Sequence, residues 1–547
     1  MRNGHVLITC GVLLGLAGAW SAGCSHYVDD YYLPLTDPRL VDGGHEAGTG
    51  GTDGGNPDCS GDPSKKNITE ACGVFVSAAA SPGGTGTRAS PYDTLQKAID
   101  NANGKRVYAC AAMPFSEAIT IAAPVEVFGG FADCTTDSGW TWTQAARSEL
   151  DGPADQIALT IQAGADGATV EGFKIVAASP SSMTMGGSSV AVAVDDVAAT
   201  LEQCDVKGSD AADGIDGTSP SGLAIAGASA PSMMAMGAPT PACVLPAGVT
   251  GGAPGTTTCD DGMTAGGVGG TGGITGMDSG DGQPGANGSP LPSPNSTMAG
   301  VGGVGQTDPS NPTKTCEDGA KGLTGTAGAA GPGGSGASDK LLLTGIANSD
   351  TTDGQPGTKG QGGGGGGGAM SGTFCMVASM TVDGPGASGG GGGAGGCGGL
   401  GGGGGKAGGS SIAILSLGTN LTLNAVTLAV GKGGEGGNGT VGQTGGAFGN
   451  GANGGASSGI VPSNAGCKGG DGGAGGAGGP GGGGRGGHAL GILYAKAPAT
   501  IPAIKTFMPG TPGDGGSGGN GAPATSNGAN GNAGQCWDLS TNAACKP

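Results

Sequence analysis

The sequence predicts an all-β fold, a right-handed parallel β-helix whose coils are separated by long glycine-rich insertions. Three observations lead there. An apolar pattern recurs in four segments with one internal spacing. A short amphipathic helix stands ahead of the first repeat. Between the repeats, glycine falls at every third position.

The repeat is the firmest of the three. Leu159, Ile161, Val170, Phe173 and Ile175 recur 31 positions later as Val190, Val192, Leu201, Cys204 and Val206. A further 222 positions on they are Ile412, Ile414, Leu423, Val426 and Leu428, and 78 beyond those Leu490, Ile492, Ile501, Ile504 and Thr506. Nineteen of these twenty positions are apolar. A spacing of two puts neighbours on one face of a strand. The spacing of three between Val170 and Phe173 needs a bend, which Glu171-Gly172 can supply. One such segment cannot bury its own apolar row, whereas stacked copies about 4.8 Å apart can.

Ahead of the repeats, Gly73-Val74-Phe75-Val76 reads as a strand. Leu95, Ala98, Ile99 and Ala102 follow helical spacing and mark one apolar helix face. Ile119, Ile121, Val125 and Val127 alternate as strands do, and Gly129-Gly130-Phe131 reads as a turn. Ser90-Pro91-Tyr92-Asp93-Thr94-Leu95 opening the helix, Pro114-Phe115-Ser116-Glu117, and Gly129-Gly130-Phe131 together resemble the N-terminal cap of pectin-lyase-like parallel β-helix proteins over residues 72–178. The resemblance implies that the helix covers the open end of the first coil, where unpaired strand edges would invite aggregation. Trp140 and Trp142 are expected to pack in that cap.

Glycine is 132 of 547 residues and is not scattered. It recurs every third residue from Gly319 to Gly334, from Gly386 to Gly404 and from Gly466 to Gly487. A period of three matches the polyproline-II helix. Collagen would want longer tracts and more proline. Two readings stay open here: a bundle of polyproline-II segments packed through bare glycine faces, or disorder, since ordering glycine is entropically expensive. By composition these stretches resemble the glycine-rich (PGRS-like) repeats of mycobacterial surface proteins.

The N-terminus carries an address. Arg2 and His5 precede an apolar stretch from Val6 to Ala19, followed by Ser21-Ala22-Gly23-Cys24. Small residues before a cysteine at this distance resemble the lipobox of bacterial lipoproteins, although Ser21 stands where leucine is usual. The resemblance implies lipidation of Cys24, a membrane held through that lipid, and an outer-membrane or cell-surface location. Export agrees with 15 cysteines, because disulfides persist outside the cytoplasm. Cys59/Cys72, Cys110/Cys134, Cys243/Cys259, Cys375/Cys397 and Cys536/Cys545 are candidate local pairs, with connectivity left open. Cys204, at an inward repeat position, is expected to be a buried free thiol.

The organisation that follows is a leader over 1–24, a tether over 25–70, a cap and first coils over 71–208, and a glycine-rich insertion over 209–409. A coil over 410–430, a second insertion over 431–487, a coil over 488–510 and a glycine-rich tail over 511–547 complete it.

A net charge of −20 without any Lys/Arg run argues against nucleic-acid binding. No zinc or thioredoxin-type CxxC pair is present. Asp210, Asp213 and Asp216, three apart, do not match an EF-hand loop and read as an acidic turn. No cofactor or metal is expected. The pectin-lyase-like resemblance brings polysaccharide lyases and glycosidases into view. Asp195-Asp196 and Gly487-His488 are the catalytic candidates, as they are similar to paired aspartates and a Gly-His motif of polygalacturonases, but the companion motifs are absent. The reading is a non-catalytic surface lipoprotein, structural or adhesive, with an extracellular glycan or matrix as partner. The alternative is a polysaccharide lyase or glycoside hydrolase.

Overall fold

The computed structural model describes residues 59, 61–63, 68–134, 139–244, 249–276, 280–291, 298–308, 314–337, 339–348, 350 and 352–546. The leader, Cys24 and most of the tether lie outside these residues.

The described chain is built on three mostly parallel sheets with one short α-helix. The first sheet stacks Gly73–Val76, Arg106–Cys110, Glu126–Ala132, Ala168–Glu171, Ala199–Glu202 and Leu421–Asn424. The second stacks Ile119–Ile121, Leu159–Ile161, Ser189–Val194, Ser411–Ser416, Ala489–Tyr494 and Ala533–Asp538, with antiparallel Ala543–Ala544 on its end. The third stacks Ser148–Asp151, Phe173–Val176, Asp205–Gly208, Thr427–Val430 and Thr506–Met508. The chain visits second, first and third sheets in rotation, so each of the first three repeats contributes one strand to each, while the last contributes strands to the second and third only.

Register follows the repeat and corrects it in two places. Val190 lies opposite Ile412, Leu201 opposite Leu423 and Val206 opposite Leu428, all 222 apart. Val170 pairs with Leu201, and Ile175 with Val206, at 31. Leu159 however pairs with Val192 instead of Val190, two residues along, which keeps the same face inward. In the last repeat Leu428 pairs with Phe507, not Thr506. The loop before it is one residue longer, so the single polar exception in the pattern was a misaligned neighbour of an apolar residue. Ile501 and Ile504 pack against the core from outside any strand.

The main core holds Leu159, Ile161, Val170, Phe173, Ile175, Val192, Leu201, Ile414, Val426 and Ile492, all essentially inaccessible. Cys204 is among them as a free, fully buried thiol, and burial pushes its pKa up to about 12. The helix spans Leu95–Asp100 and buries Leu95 and Ala98. Thr94 caps it, accepting from Lys97 N, and Glu117 accepts from the free amides of Leu95 and Gln96 at 2.6 and 3.1 Å. Trp140 is buried beside Phe75, Tyr108 and Phe131, with Trp142 packed against them. Gly129-Gly130-Phe131 is not a turn. It lies inside the strand Glu126–Ala132, at a register shift where Gly130 takes φ 85°.

The glycine-rich insertions form a second ordered region with its own rule. Gly390, Gly393, Gly396, Gly399, Gly402, Gly405 and Gly408 donate to the carbonyls of Cys467, Gly470, Gly473, Gly476, Gly479, Gly482 and Arg485, at 2.8–3.0 Å and always 77 positions apart. The next rung, Ser411 N to His488 O, leads directly into the paired strands Ser411–Ser416 and Ala489–Tyr494. The bundle is therefore a continuation of the second sheet's pairing beyond the strand ends. Bonding every third residue is what segments with three residues per turn give when laid side by side.

The number of glycine phases rises from the bundle's edge to its centre. At the bundle's edge, Gly319, Gly322, Gly325, Gly328, Gly331 and Gly334 are one phase, and the two other phases carry side chains except at Gly333. At its centre, 362–368 is all glycine. There Gly364 donates to Ala320, Gly365 to Ala286 and Gly366 to Gly390, three different segments. A Cβ at any of the three would lie 2.0–2.1 Å from a backbone oxygen.

Six disulfides are formed among the described residues. Cys59–Cys72, Cys110–Cys134 and Cys536–Cys545 join near neighbours as expected. The expected pairs Cys243/Cys259 and Cys375/Cys397 are wrong. Cys243 bonds Cys375, Cys259 bonds Cys397, and Cys316 bonds Cys467, at separations of 132, 138 and 151 residues. Bundle packing sets distant segments side by side, so sequence proximity loses its meaning there. Disulfides on this scale fit an oxidising, extracellular environment. No helix among the described residues is long and apolar enough to cross a membrane.

Candidate functional site

The structure separates the catalytic candidates. Asp195 and Asp196 follow the strand Ser189–Val194 at its C-terminal end. Asp195 accepts from Ala163 N and from Asp196 N, a loop-closing arrangement. His488 precedes Ala489–Tyr494, at the opposite end of the same sheet. Six residues of strand, about 20 Å, lie between the two ends. One substrate group could not meet both.

His488 belongs to a polar junction where the second sheet passes into the bundle. It is 3% exposed, and so is Arg485. Arg485 Nη1 lies 2.9 Å from His488 Nε2, and Asn532 N donates to Nδ1 at 2.8 Å. Burial first, then the Arg485 charge, push the His488 pKa down to about 3. Arg485 Nη2 pairs with Asp339 at 2.8 Å, both side chains almost wholly buried. Burial raises the Asp339 carboxyl and lowers the guanidinium, each partner opposing the shift of the other. Ser410 Oγ accepts from the backbone N–H of His488 at 3.0 Å, so the hydroxyl meets the histidine's backbone and not its ring. A cleft of about 290 Å³ opens beside this cluster, lined by Met185, Asp350, Thr352, Lys406, Ser410 and Arg485.

The aspartate series that reads as an acidic turn has a defined role. Asp210, Asp213 and Asp216 Oδ1 accept from the amides of Lys432, Glu435 and Asn438 at 2.7, 2.7 and 2.6 Å. Each pair is 222 apart, the same register as the sheets. Asp318, Asp353 and Asp471 cap the amides of Lys468, Gly404 and Gly451 in the same manner. Bundle amides that face no neighbouring carbonyl need an acceptor, and carboxylates supply it. Part of the chain's acidity is thus backbone capping. Among the described residues no group of three or more His, Cys, Asp and Glu could hold a metal ion.

A different carboxylate pair emerges on the outer face of the first sheet. Glu171 and Glu202 stand opposite each other in adjacent parallel strands, with Asn424 next in line. Glu171 is half-buried, and burial, then Glu202 and Asp62, push its pKa up to about 7. Arg106 and Arg147 oppose the shift. Arg106 also pairs with Glu126 and donates to Gly61 O at 2.7 Å, which brings the segment 61–63 over this face. The pair was within reach of the sequence: Glu171 and Glu202 are 31 apart, the repeat period. Both face outward, beside the inward Val170 and Leu201, and so stand outside the apolar pattern.

No family model, curated protein or solved structure matches the chain.

Proposed function

We propose that this is an exported, non-catalytic surface protein, structural or adhesive. In this reading its three sheets form a right-handed, pectin-lyase-like parallel β-helix, and its glycine segments form a polyproline-II bundle projecting from it. Parallel crossovers in one sheet are right-handed almost without exception, which supports the hand. The leader and Cys24 supply a lipid anchor at the outer membrane or cell surface. The observation that carries the reading is the hydrogen-bond ladder running unbroken from bundle to sheet, with three long-range disulfides in the bundle. Such a body holds its shape outside the cell and presents side chains in regular rows to a glycan or matrix.

A second reading rests on Glu171. A carboxyl near pKa 7, one strand spacing from Glu202, has the poise of a general acid in a glycoside hydrolase. One experiment separates the two. The mature chain from Ser25 onward is assayed for binding and for release of reducing or unsaturated ends on acidic and neutral polysaccharides. Binding without turnover supports the surface module. Turnover lost in Glu171→Gln or Glu202→Gln overturns it in favour of the enzyme.

A further inference from the structure

One loop occurs twice. Pro180-Ser181-Ser182-Met183-Thr184-Met185-Gly186-Gly187 and Pro231-Ser232-Met233-Met234-Ala235-Met236-Gly237-Ala238 share the pattern Pro-Ser-x-Met-x-Met-Gly-small. They also share a hydrogen-bond pattern, although Met234 takes φ 75° where its counterpart Met183 stays outside the positive-φ region. Thr184 N donates to Ser181 O and Gly187 N to Thr184 O, at 3.0 and 3.1 Å. Ala235 N donates to Ser232 O and Ala238 N to Ala235 O, at 3.1 and 3.0 Å. Each loop is two consecutive tight turns, ended by a glycine with positive φ, 70° at Gly186 and 81° at Gly237. One loop leaves a sheet strand and the other lies within the first insertion, so a shared sheet position does not account for the likeness.

The methionines are left out of the core, although Met185 also lines the cleft beside Arg485. Met183 and Met185 are 91% and 50% exposed, and Met234 and Met236 are 104% and 98% exposed. Methionine is ordinarily among the buried residues, yet the core of this protein is built without it. Each double turn thus leaves two thioethers, one residue apart, partly or wholly open to solvent.

Thioether sulfur is a soft, uncharged donor that selects monovalent d10 cations over zinc, magnesium or calcium. Thiolate is the usual alternative. Here twelve described cysteines are bridged and Cys204 is buried. In an oxidising compartment, methionine is the soft donor that survives. We propose that each Pro-Ser-x-Met-x-Met-Gly turn is a binding site for a soft monovalent metal ion of the copper(I) class, held by Met183 and Met185 in one loop and by Met234 and Met236 in the other. Met233 offers the second loop a third thioether, so that site is the tighter.

The test titrates the disulfide-intact mature chain with silver(I), a redox-inert probe, and with copper(I) against a chromophoric chelator. Two ions bind to the wild type. Met183→Leu/Met185→Leu removes the weaker event and Met234→Leu/Met236→Leu the tighter, each affinity falling at least about tenfold. Leucine matches methionine in volume, so folding is retained and is checked by circular dichroism. The control Met113→Leu/Met508→Leu changes nothing, and X-ray absorption shows sulfur neighbours around the bound ion. Absence of silver binding, an unchanged stoichiometry in both loop variants, an equal loss in the control, or oxygen and nitrogen neighbours only would each overturn the proposal.

Discussion

The stacked sheets and the glycine bundle solve the same problem with opposite materials. Both must satisfy the backbone of segments that pack on more than one side. In the sheets, hydrogen bonds run to two strand neighbours and the inward face is filled by Val, Ile, Leu and Phe. Cohesion there comes from apolar area removed from water. In the bundle, segments bond in up to three directions and approach until a Cβ would touch a neighbouring carbonyl. No side chain fits between them, so cohesion comes from backbone hydrogen bonds and close contact, with disulfides restricting the unfolded chain. The difference teaches that glycine content alone does not signal disorder. Phase decides: glycine at the positions that face neighbours orders a segment whose other positions are free to carry side chains.

The sharpest break is expected in the sheets. Phe173→Ala empties a fully buried position in the main core and should cost about 3–5 kcal/mol, read from denaturant unfolding. Cys204 reports the same region, because a buried thiol reacts with alkylating agents only when the stack opens. Alkylation should therefore accelerate in Phe173→Ala in step with the lost stability.

The bundle breaks differently. Gly364→Ala puts a Cβ against the Val301 carbonyl and should cost about 3 kcal/mol, the upper end of overpacking. Ala327→Ser, at an exposed phase of the edge segment, should change stability by no more than about 0.5 kcal/mol. Equal effects at the two sites would sink the phase rule.

Removing one aspartate cap is a smaller test. Asp213→Ala leaves the Glu435 amide without its side-chain acceptor and should cost about 1 kcal/mol. Asp213→Asn keeps an acceptor oxygen and should recover most of it. The sheets should be insensitive to either, as judged by Cys204 alkylation.

A pH dependence confined to the sheet region is also expected. Glu171 is raised from its ordinary 4.5 to about 7, so the folded state holds its proton longer than the unfolded state. Stability should fall as pH rises from about 4.5 through about 7 and then level off. Glu171→Gln should flatten that window relative to the wild type. A slope that persists unchanged in the variant would assign it to other groups.

Some of this was legible before any fold was seen. The strands of the first three repeats, the buried thiol at Cys204 and the helix at Leu95 followed from spacing, and three of the five candidate local disulfides formed. Inward positions must stay apolar at a period of two, and that constraint is written locally. The shift from Val190 to Val192 opposite Leu159 and from Thr506 to Phe507 was not legible, because loop length between strands leaves no periodic trace.

What the sequence determined alone is the alternation of two materials: apolar rows at the repeat spacings, and glycine in one, two or three phases out of three. Tertiary structure alone decided which segments lie together. It paired Cys243 with Cys375, set Asp210 against Lys432, and parted Asp195 from His488 along one sheet. The physical reason is that a glycine face accepts any neighbour of the right register, so the choice of neighbour rests on the whole assembly.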